Sequence, residues 1–530
     1  AAYSLAIQKD AELDKYLDEL IAKIAAAQEP DGYLYTIRTI QKDSIRDPAA
    51  GRERWSFLQD SHELYNVGHL YEAAVAHHLA TGKKTLLDVA LKNADMLLDT
   101  FGEGKRYVNL AVFFLDQRGR HQHRKQYAAT WASPPDYAYY QDHQPVTEQT
   151  EAVGHVVRAG YMYSGMADVA TLTGNQAYIN AIRTLWQNVT SQKMYITGGL
   201  GANPHVEGFG PNYDLPNNAY NETCAAIANM LWNQRLFLLT GEAKYIDVLE
   251  RTLYNGFLSG VSQGGNLFFY PNPLVSNGSD KFNHGYATRC EWFNTSCCPT
   301  NVARFLPSLP GYVYAHQKGE IFVNLFIAGT GKVQTDAGPV TLTQQTDYPY
   351  NGKVRLTVAP APGNLPLTLS IRLPGWAGGR PVPGDLYRYT DNARPRISLS
   401  VNGKPVAYAT DKGFAVLKRT WKKGDVVELN LPMPVRKVQA HEKVTAVLGK
   451  ICLERGPLVY CVEAADNGGG VEQIRLTGKT RFQTATRPDL LRGTTVIQGV
   501  EPNKTAFTAI PYHLWSHRGP GEMAVWLPTE

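Results

Sequence analysis

Three times in the first half of the chain a long amphipathic run ends in Thr-Gly: at Thr81-Gly82, Thr173-Gly174 and Thr240-Gly241. Glycine enters the left-handed conformation that closes a helix without steric cost, so each pair reads as a helix stop. The runs before them, over 62–80, 151–172 and 223–239, carry apolar residues at helical spacing, and each is followed by a second helical run, over 86–98, 178–189 and 245–258. A recurring unit of helix, turn and helix cannot bury its apolar side alone and must stack on its neighbours. The repeat predicts helical hairpins closing into an α/α toroid, or barrel, over residues 1–315. A helix over 11–27 precedes them and stops at Glu29-Pro30-Asp31-Gly32.

If the first helix of each hairpin faces inward, their starts converge on one mouth of the toroid. Those starts carry His62 and His69, Glu151 and His155, and Glu222 and Cys224. A lone histidine at a helix start is ordinarily a cap or core group; several converging at one mouth favour a site. The interval from Gly82 to Gly174 exceeds the next one, yet holds only one evident helix, over 107–115, with no long partner before it.

From about residue 316 the apolar period changes from helical to two, over 321–327, 354–358 and 367–373. Asn402-Gly403 and Lys423-Gly424-Asp425 read as hairpin turns. A β-sandwich is expected over 316–440. A smaller β domain is expected over 441–530, with an apolar strand at 458–462 and a loop at 464–470. The fold class is thus multidomain α+β, a helical toroid followed by β-sandwich domains, and 530 residues are too many for one core.

The formal charge of +5 is small for this length, and no run of five Lys or Arg reads as a nucleic-acid tail. The most basic cluster, His121-Gln122-His123-Arg124-Lys125, reads as a solvated loop. No apolar stretch approaches the roughly 18 residues of a membrane span. The chain starts without Met, so its true N-terminus is expected upstream, which leaves both periplasm and cytoplasm open. Oligomeric state is not legible.

Six cysteines in 530 residues do not make a disulfide framework. Cys452 and Cys461 read as buried thiols, or alternatively as a cross-strand disulfide. The remaining sulfur chemistry concentrates in Glu222-Thr223-Cys224 and Cys297-Cys298-Pro299-Thr300-Asn301. Zinc takes about four thiolate, imidazole or carboxylate ligands, and Glu222, Cys224, Cys297 and Cys298 make such a set. Adjacent cysteines on one ion call for an unusually bent loop, and the competing reading is buried free thiols that behave as small hydrophobes.

Four motifs occur together and in order: Ile-Thr-Gly-Gly-Leu-Gly at 196–201, Tyr-Asp-Leu-Pro-Asn at 213–217, Asn-Glu-Thr-Cys at 221–224 and Cys-Cys-Pro-Thr-Asn at 297–301. With Arg-Gly-Pro-Gly-Glu-Met at 518–523, the sequence resembles the β-L-arabinofuranosidases of glycoside hydrolase family 127 and its sister family 146. The resemblance implies a retaining exo-glycosidase that removes β-L-arabinofuranose from plant glycans or glycoproteins. Most glycosidases flank the scissile bond with two carboxylates; here one would be replaced by a zinc-bound cysteine. By the same resemblance Cys297 matches the nucleophile, Glu222, Cys224, Cys297 and Cys298 the Zn2+ ligands, and Glu207 the general acid/base. Coordination deprotonates a thiol outright, and the Zn–S bond must lengthen as sulfur attacks. Glu207 would need a raised pKa, which its neighbours Val206 and Phe209 fit.

His143, His155 and one of His62 and His69 are the expected sugar-binding imidazoles, since a neutral ring both donates and accepts. Tyr220, Tyr270 and Trp292 are candidates for the pocket wall, with core packing as the alternative for each. The family's usual inner helix with a sugar-contacting histidine has no counterpart where Arg106 runs into Tyr107; either a hairpin has been lost or residues are omitted. Two other functions stay open. Relatives cleave a carboxylated pectin sugar, for which Arg158 and Arg289 are candidate partners, and a non-catalytic carbohydrate-binding protein with a structural zinc is the reading outside enzymology.

Overall fold

The computed structural model describes residues 1–530 apart from 42–49, 52, 59–60, 103–106, 121–136, 362 and 502–503. Arg106 and the basic cluster at 121–125 therefore lie outside the described residues. The chain forms two compact units. The first comprises Ala1–Tyr137, Asp142–Val146 and Ala303–Ser308, and the second Ala138–Gln141, Thr147–Val302 and Leu309–Glu530.

The first unit is helical: α1 (Ala2–Ile7), α2 (Ala11–Ala27), α3 (Glu63–Thr81), α4 (Thr85–Phe101) and α5 (Tyr107–Asp116). Asp10 caps α2 by accepting hydrogen bonds from the backbone N–H groups of Glu12 and Leu13, each at 3.0 Å. Ile21, Ala74, Leu86 and Ala90 join α2, α3 and α4 in one apolar cluster. Tyr33, Val67, Met96, Leu97 and Leu110 form a second. Glu63 is buried at the start of α3 because two hydroxyls answer its carboxylate, Tyr33 at 2.6 Å and Ser61 at 3.0 Å.

The second unit carries the remaining long helices, α6 (Val156–Thr173), α7 (Gln176–Asn188), α8 (Thr223–Thr240), α9 (Ala243–Arg251) and the start of α10 (Cys297–Ser308). Across both units the three Thr-Gly stops behave as the sequence predicts. Gly82, Gly174 and Gly241 have φ of 76°, 66° and 69°, and each N–H bonds the carbonyl four residues back. One start differs: α6 begins at Val156, not at 151. Gly154 turns the chain there at φ 73°, so close to Ala138 that a Cβ would lie 2.0 Å from its carbonyl oxygen. Two second helices also end earlier than expected, α7 passing into a π-helix at Val189–Lys193 and α9 into one at Thr252–Phe257.

Among the described residues the β strands form three sheets. A six-stranded sheet contains Gly338–Thr346, Lys353–Pro360 and Asp425–Asn430, and a five-stranded sheet contains Glu320–Val323, Asn364–Arg372 and Phe414–Lys422. Buried residues alternate along them, as in Val354, Leu356 and Val358, and in Leu365, Leu367 and Leu369. Asn402-Gly403 is a hairpin turn, with Val401 paired to Lys404. The turn at Lys423-Gly424 is not: Phe414–Lys422 pairs with Asn364–Arg372, whereas Asp425–Asn430 pairs with Lys353–Pro360, so the chain changes sheets there. A ten-stranded sheet gathers Val275–Asn277, Tyr387–Tyr389 and the strands from Val435 onward. The expected boundary at 440 falls between Val435–Ala440 and Lys450–Arg455, which pair with each other; Pro432 and Pro434 end the preceding strand, so 435–440 starts this last sheet. Cys452 and Cys461 are free buried thiols in it.

Buried ion pairs join the helical and β parts of this unit. Arg251 on α9 meets Glu454 at 2.6 Å and donates to the Ile196 carbonyl at 2.8 Å, and Arg372 pairs with Asp247 at 2.7 Å and with Glu250. Tyr389 and Tyr348 donate to the same two glutamates, Glu454 and Glu250, so the buried carboxylates are hydrogen-bonded as well as paired.

Candidate active site

The site is built on the start of α8. Asn221, at φ 32°, turns the chain into the helix and donates its N–H to the Gly201 carbonyl at 2.9 Å. Gly199 lies so near that a Cβ there would sit 2.9 Å from Asn221 Cγ. On the other side, Thr223 N–H donates to the Tyr270 carbonyl at 2.9 Å, and Asn272 Nδ2 donates to the Asn221 carbonyl at 3.0 Å. The 196–201 motif and the 268–272 segment thus grip α8 between them and fix Glu222, Cys224 and Tyr270.

Cys297 and Cys298 are the first two residues of α10, so the expected bent loop is instead a helix start. Successive helical side chains diverge by about 100°, which leaves Cys297 half-buried and Cys298 fully buried while their sulfurs stay 3.9 Å apart. Cys224 Sγ lies 3.5 Å from Cys298 Sγ. Glu222 Oε1 lies 3.5 Å from Cys297 Sγ and 3.7 Å from Cys298 Sγ. One ligand atom from each of the four residues lies within 4.8 Å of every other.

This set fits a soft, tetrahedrally coordinated cation. Glu222 Oε2 is buried without a hydrogen-bond partner. Burial pushes the Glu222 carboxyl and the Cys298 thiol far above their ordinary ranges, and the hydrogen bond to Cys297 does the same for Cys224. Hydrogen bonds from Cys224 and Cys298, against the opposing effect of burial, draw Cys297 down to about 3. Four acidic groups crowded in a dry place repel one another on ionisation, and a metal ion is the counter-charge that lets all of them ionise. Three sulfurs and one oxygen favour zinc chemistry over magnesium or calcium, which take oxygen shells.

Glu207 stands at the tip of a tight turn, at φ 49°, clasped by reciprocal backbone hydrogen bonds of 3.1 Å between Asn203 and Gly208. Its Oε2 is 3.1 Å from His155 Nε2, and its Oε1 accepts from Tyr220 at 2.8 Å. His155 Nδ1 accepts from Val157 N–H at 3.2 Å, which leaves the Nε2 hydrogen for Glu207. The expectation of a raised pKa does not hold for the free protein. Burial raises the carboxyl, but the hydrogen bonds from His155 and Tyr220 outweigh it and hold Glu207 below the usual range. Val206 is itself exposed and builds no apolar pocket.

Tyr270 approaches Cys297 Sγ with its hydroxyl at 3.1 Å, and packs in one cluster with Cys224, Cys290, Phe293 and Cys298. His284, which the sequence reading missed, stands 3.3 Å from the Tyr220 hydroxyl through Nε2, with its ring centroid 4.3 Å from that of Tyr270. Trp292 is 59% exposed, just before Cys297 in sequence. His155, Tyr220 and Tyr270 are therefore together in the second unit. His62, His69 and His143 belong to the first, where His62 precedes α3 at φ 59° and His69 Nδ1 lies 3.4 Å from Arg304.

Other candidates have structural duties. Glu151 pairs with buried Lys193 at 2.7 Å. Arg289 is buried over the Phe269 ring and donates to the Ser259 and Trp515 carbonyls, so it is not a partner for a carboxylated sugar; burial lowers it to about 9. In the 213–217 motif, Tyr213 N–H bonds the Gln192 carbonyl and Asn217 accepts from Leu274 N–H, both at 2.8 Å.

Comparison with known proteins agrees along the whole chain. The family profile for "Beta-L-arabinofuranosidase, GH127 catalytic domain" matches in two blocks, residues 1–105 and 101–311. The middle-domain and C-terminal-domain profiles of the same family match 320–433 and 435–528. A non-reducing end β-L-arabinofuranosidase of Bifidobacterium longum subsp. longum is 34% identical, over 99% of this chain and 87% of that protein. Among solved structures, a GH127 β-arabinofuranosidase superposes with a TM-score of 0.88 at 46% identity, over 100% of this chain and 86% of the other. A GH127 β-L-arabinofuranosidase from Geobacillus stearothermophilus T6 gives 0.88 at 37%, over 100% and 88%. With profiles of three domains matched in order and a relative aligned over nearly its full length, the chain belongs to glycoside hydrolase family 127, the β-L-arabinofuranosidase family.

Proposed function

We propose that this glycoside hydrolase is a retaining exo-enzyme that releases β-L-arabinofuranose from plant glycans or glycoproteins, with Cys297 as nucleophile and Glu207 as general acid/base. The observation that carries the reading is the contrast within one cluster: Cys297 is the partly exposed sulfur, drawn strongly toward thiolate, while Cys224 and Cys298 are buried behind it. Glu207 stands near enough to Cys297 to feel its charge.

Glu222, Cys224, Cys297 and Cys298 would hold Zn2+, which when bound keeps the thiols ionised at neutral pH. The Cys297 sulfur attacks the anomeric carbon as the glycosidic C–O bond breaks, and Glu207 gives its proton to the departing oxygen. Water then attacks the same carbon from the face the leaving group vacated. Glu207 takes its proton, the C–S bond breaks, and two inversions give net retention. The free protein holds Glu207 ionised, the form the second step needs. A sugar that displaces water from it would add to the burial that already pushes it upward, and so move it toward the acid the first step needs.

His155, Tyr220, Tyr270 and Trp292, all of the second unit, are proposed to bind the sugar. The helical hairpins are proposed to close into a toroid over 1–315, followed by two β domains whose boundary lies before the strand Val435–Ala440 rather than at 440. Release of p-nitrophenol from p-nitrophenyl β-L-arabinofuranoside tests the reading. The wild type should turn it over and Cys297→Ala should not; binding of arabinofuranosides without release would make the chain a carbohydrate-binding protein.

A further inference from the structure

Far along the chain from the catalytic cysteines, a cleft of about 830 Å³ lies between the segment 379–394 and the residues from Arg436 to Glu442. We infer that this cleft is an ancillary binding site for an acidic oligosaccharide, one bearing a uronic-acid carboxylate.

Arg436 is buried, its guanidinium carbon 3.6 Å from the Tyr389 ring centroid, and its Nη2 donates to Asp391 Oδ1 at 2.6 Å. Its Nη1 is buried with no hydrogen-bond partner. Leaving a donor of a charged group unanswered is costly, so such a group is a candidate to be met by a ligand. At the rim, Arg380 and Arg394 are exposed, and among the described residues neither side chain has a hydrogen bond or an ion pair. Guanidinium groups recognise carboxylates in a two-pronged, planar fashion that an ammonium cannot reproduce.

The lining also names what the ligand is not. Asp385 and Glu442 stand in the same cleft, as does Asp391. Those carboxylates would repel a polyphosphate, whose ionised oxygens accept hydrogen bonds and offer them no donor. A sugar acid answers both kinds of group, its carboxylate taking the arginine donors and its hydroxyls donating to Asp385 and Glu442. Tyr387–Tyr389 forms the floor as a strand paired to Val435–Ala440, and Tyr389 donates to Glu454, the buried partner of Arg251. The site is thus held on paired strands, as a preformed binding cleft needs.

The test uses the whole chain, with tri-galacturonate as the uronate probe, its methyl ester as the same sugar without charge, and inorganic phosphate as a bare anion. Isothermal titration should find binding of tri-galacturonate only, and the double variant Arg380→Ala/Arg394→Ala should weaken it at least roughly tenfold, as loss of a charge-assisted pair does. Hydrolysis of the aryl arabinofuranoside should be unchanged in that variant. The inference is overturned if tri-galacturonate does not bind, if the double variant binds it as well as the wild type, or if phosphate or the methyl ester binds equally. These results leave the catalytic assignment standing, because they are read from binding alone.

Discussion

Tyr220 donates its hydroxyl to Glu207 Oε1 at 2.8 Å, and the Tyr220 hydroxyl oxygen lies 3.3 Å from His284 Nε2. His284 in turn packs on Tyr270, whose hydroxyl meets Cys297 Sγ at 3.1 Å. One continuous set of contacts therefore runs from Glu207 to Cys297, the residues proposed as acid/base and nucleophile, and Tyr220 sets the electrostatics at one end of it. Tyr220→Phe removes a hydrogen bond that lowers Glu207, so the Glu207 pKa should rise. The acid form is needed for the first step, so the basic limb of the kcat/KM profile should move to higher pH. Loss of a hydrogen bond to a charged group should also cost roughly tenfold or more in rate. A basic limb that does not move would detach Tyr220 from Glu207.

With Glu207 as the proposed acid, Glu207→Gln leaves the leaving-group oxygen without a proton donor. Turnover of natural glycans should nearly vanish, while an activated aryl substrate should still complete its first step and then stall, visible as a burst of p-nitrophenol followed by slow release. Wild-type rates on both substrates would exclude Glu207 as the acid/base.

What the sequence disclosed follows from how few residue types can do each job. Gly82, Gly174 and Gly241 were readable because a left-handed helix end nearly demands glycine. Glu222, Cys224, Cys297 and Cys298 were readable because thiols are scarce. His284 was not, since a single histidine in a loop has no period and its role exists only through Tyr220 and Tyr270. The π-turns after α7 and α9 escaped because a change of hydrogen-bond register hardly disturbs apolar spacing. The low pKa of Glu207 escaped for a related reason: Val206 and Phe209 are its neighbours in sequence, but His155 and Tyr220 are its neighbours in space.

The glycines of the 196–201 motif yield a stability prediction. Gly198 has φ 76°, and a Cβ there would lie 2.5 Å from Thr252 Oγ1 and 2.7 Å from Thr252 Cα, at the start of the π-helix. Gly198→Ala should cost about 2–4 kcal/mol from the left-handed backbone and overpacking together. It should lower the melting temperature by several degrees. Because Asn229 Nδ2 bonds the Gly198 carbonyl at 3.2 Å, the disturbance reaches α8, and activity should fall with stability. A variant that melts with the wild type would show that Thr252 yields without cost.

His517 gives a pH dependence of stability whose sign is fixed by geometry. Its Nε2 accepts from Gln263 N–H at 3.1 Å, while Nδ1 faces the Leu514 carbonyl at 2.9 Å, so the ring is bound in its neutral form. Burial, aided by the nearby Arg289 charge, lowers its pKa to about 4. Unfolded, the ring titrates near 6.5, so between the two values the unfolded chain binds more protons. Stability is then fully present above about pH 6.5 and falls as pH drops, by about 2 kcal/mol at pH 5. His517→Gln should start less stable at pH 7 and lose less between pH 7 and 5. Thermal melts at both pH values measure the difference, and equal losses in variant and wild type would remove His517 from the account.

Cys297 and Cys298 offer the sharpest discrimination, because both belong to the same candidate ligand set and only Cys297 is proposed as the nucleophile. Cys298 is fully buried between Cys224 and Glu222, at 3.5 Å and 3.7 Å, whereas Cys297 is half-buried and has the Tyr270 hydroxyl at 3.1 Å. A cyclitol-epoxide probe of the L-arabinofuranose shape should therefore alkylate Cys297, and tandem mass spectrometry of the peptide spanning both positions separates the two sites. Cys297→Ala should abolish turnover while the other three ligands retain part of the metal. Cys298→Ala and Cys224→Ser should lose metal first and activity with it, since each opens the buried side of the set. Zinc content by elemental analysis should be about one ion per wild-type chain. Label on Cys298, or substantial activity in zinc-loaded Cys297→Ala, would reverse the roles of the two cysteines, and full activity in metal-free wild type would sink the zinc-thiolate chemistry altogether.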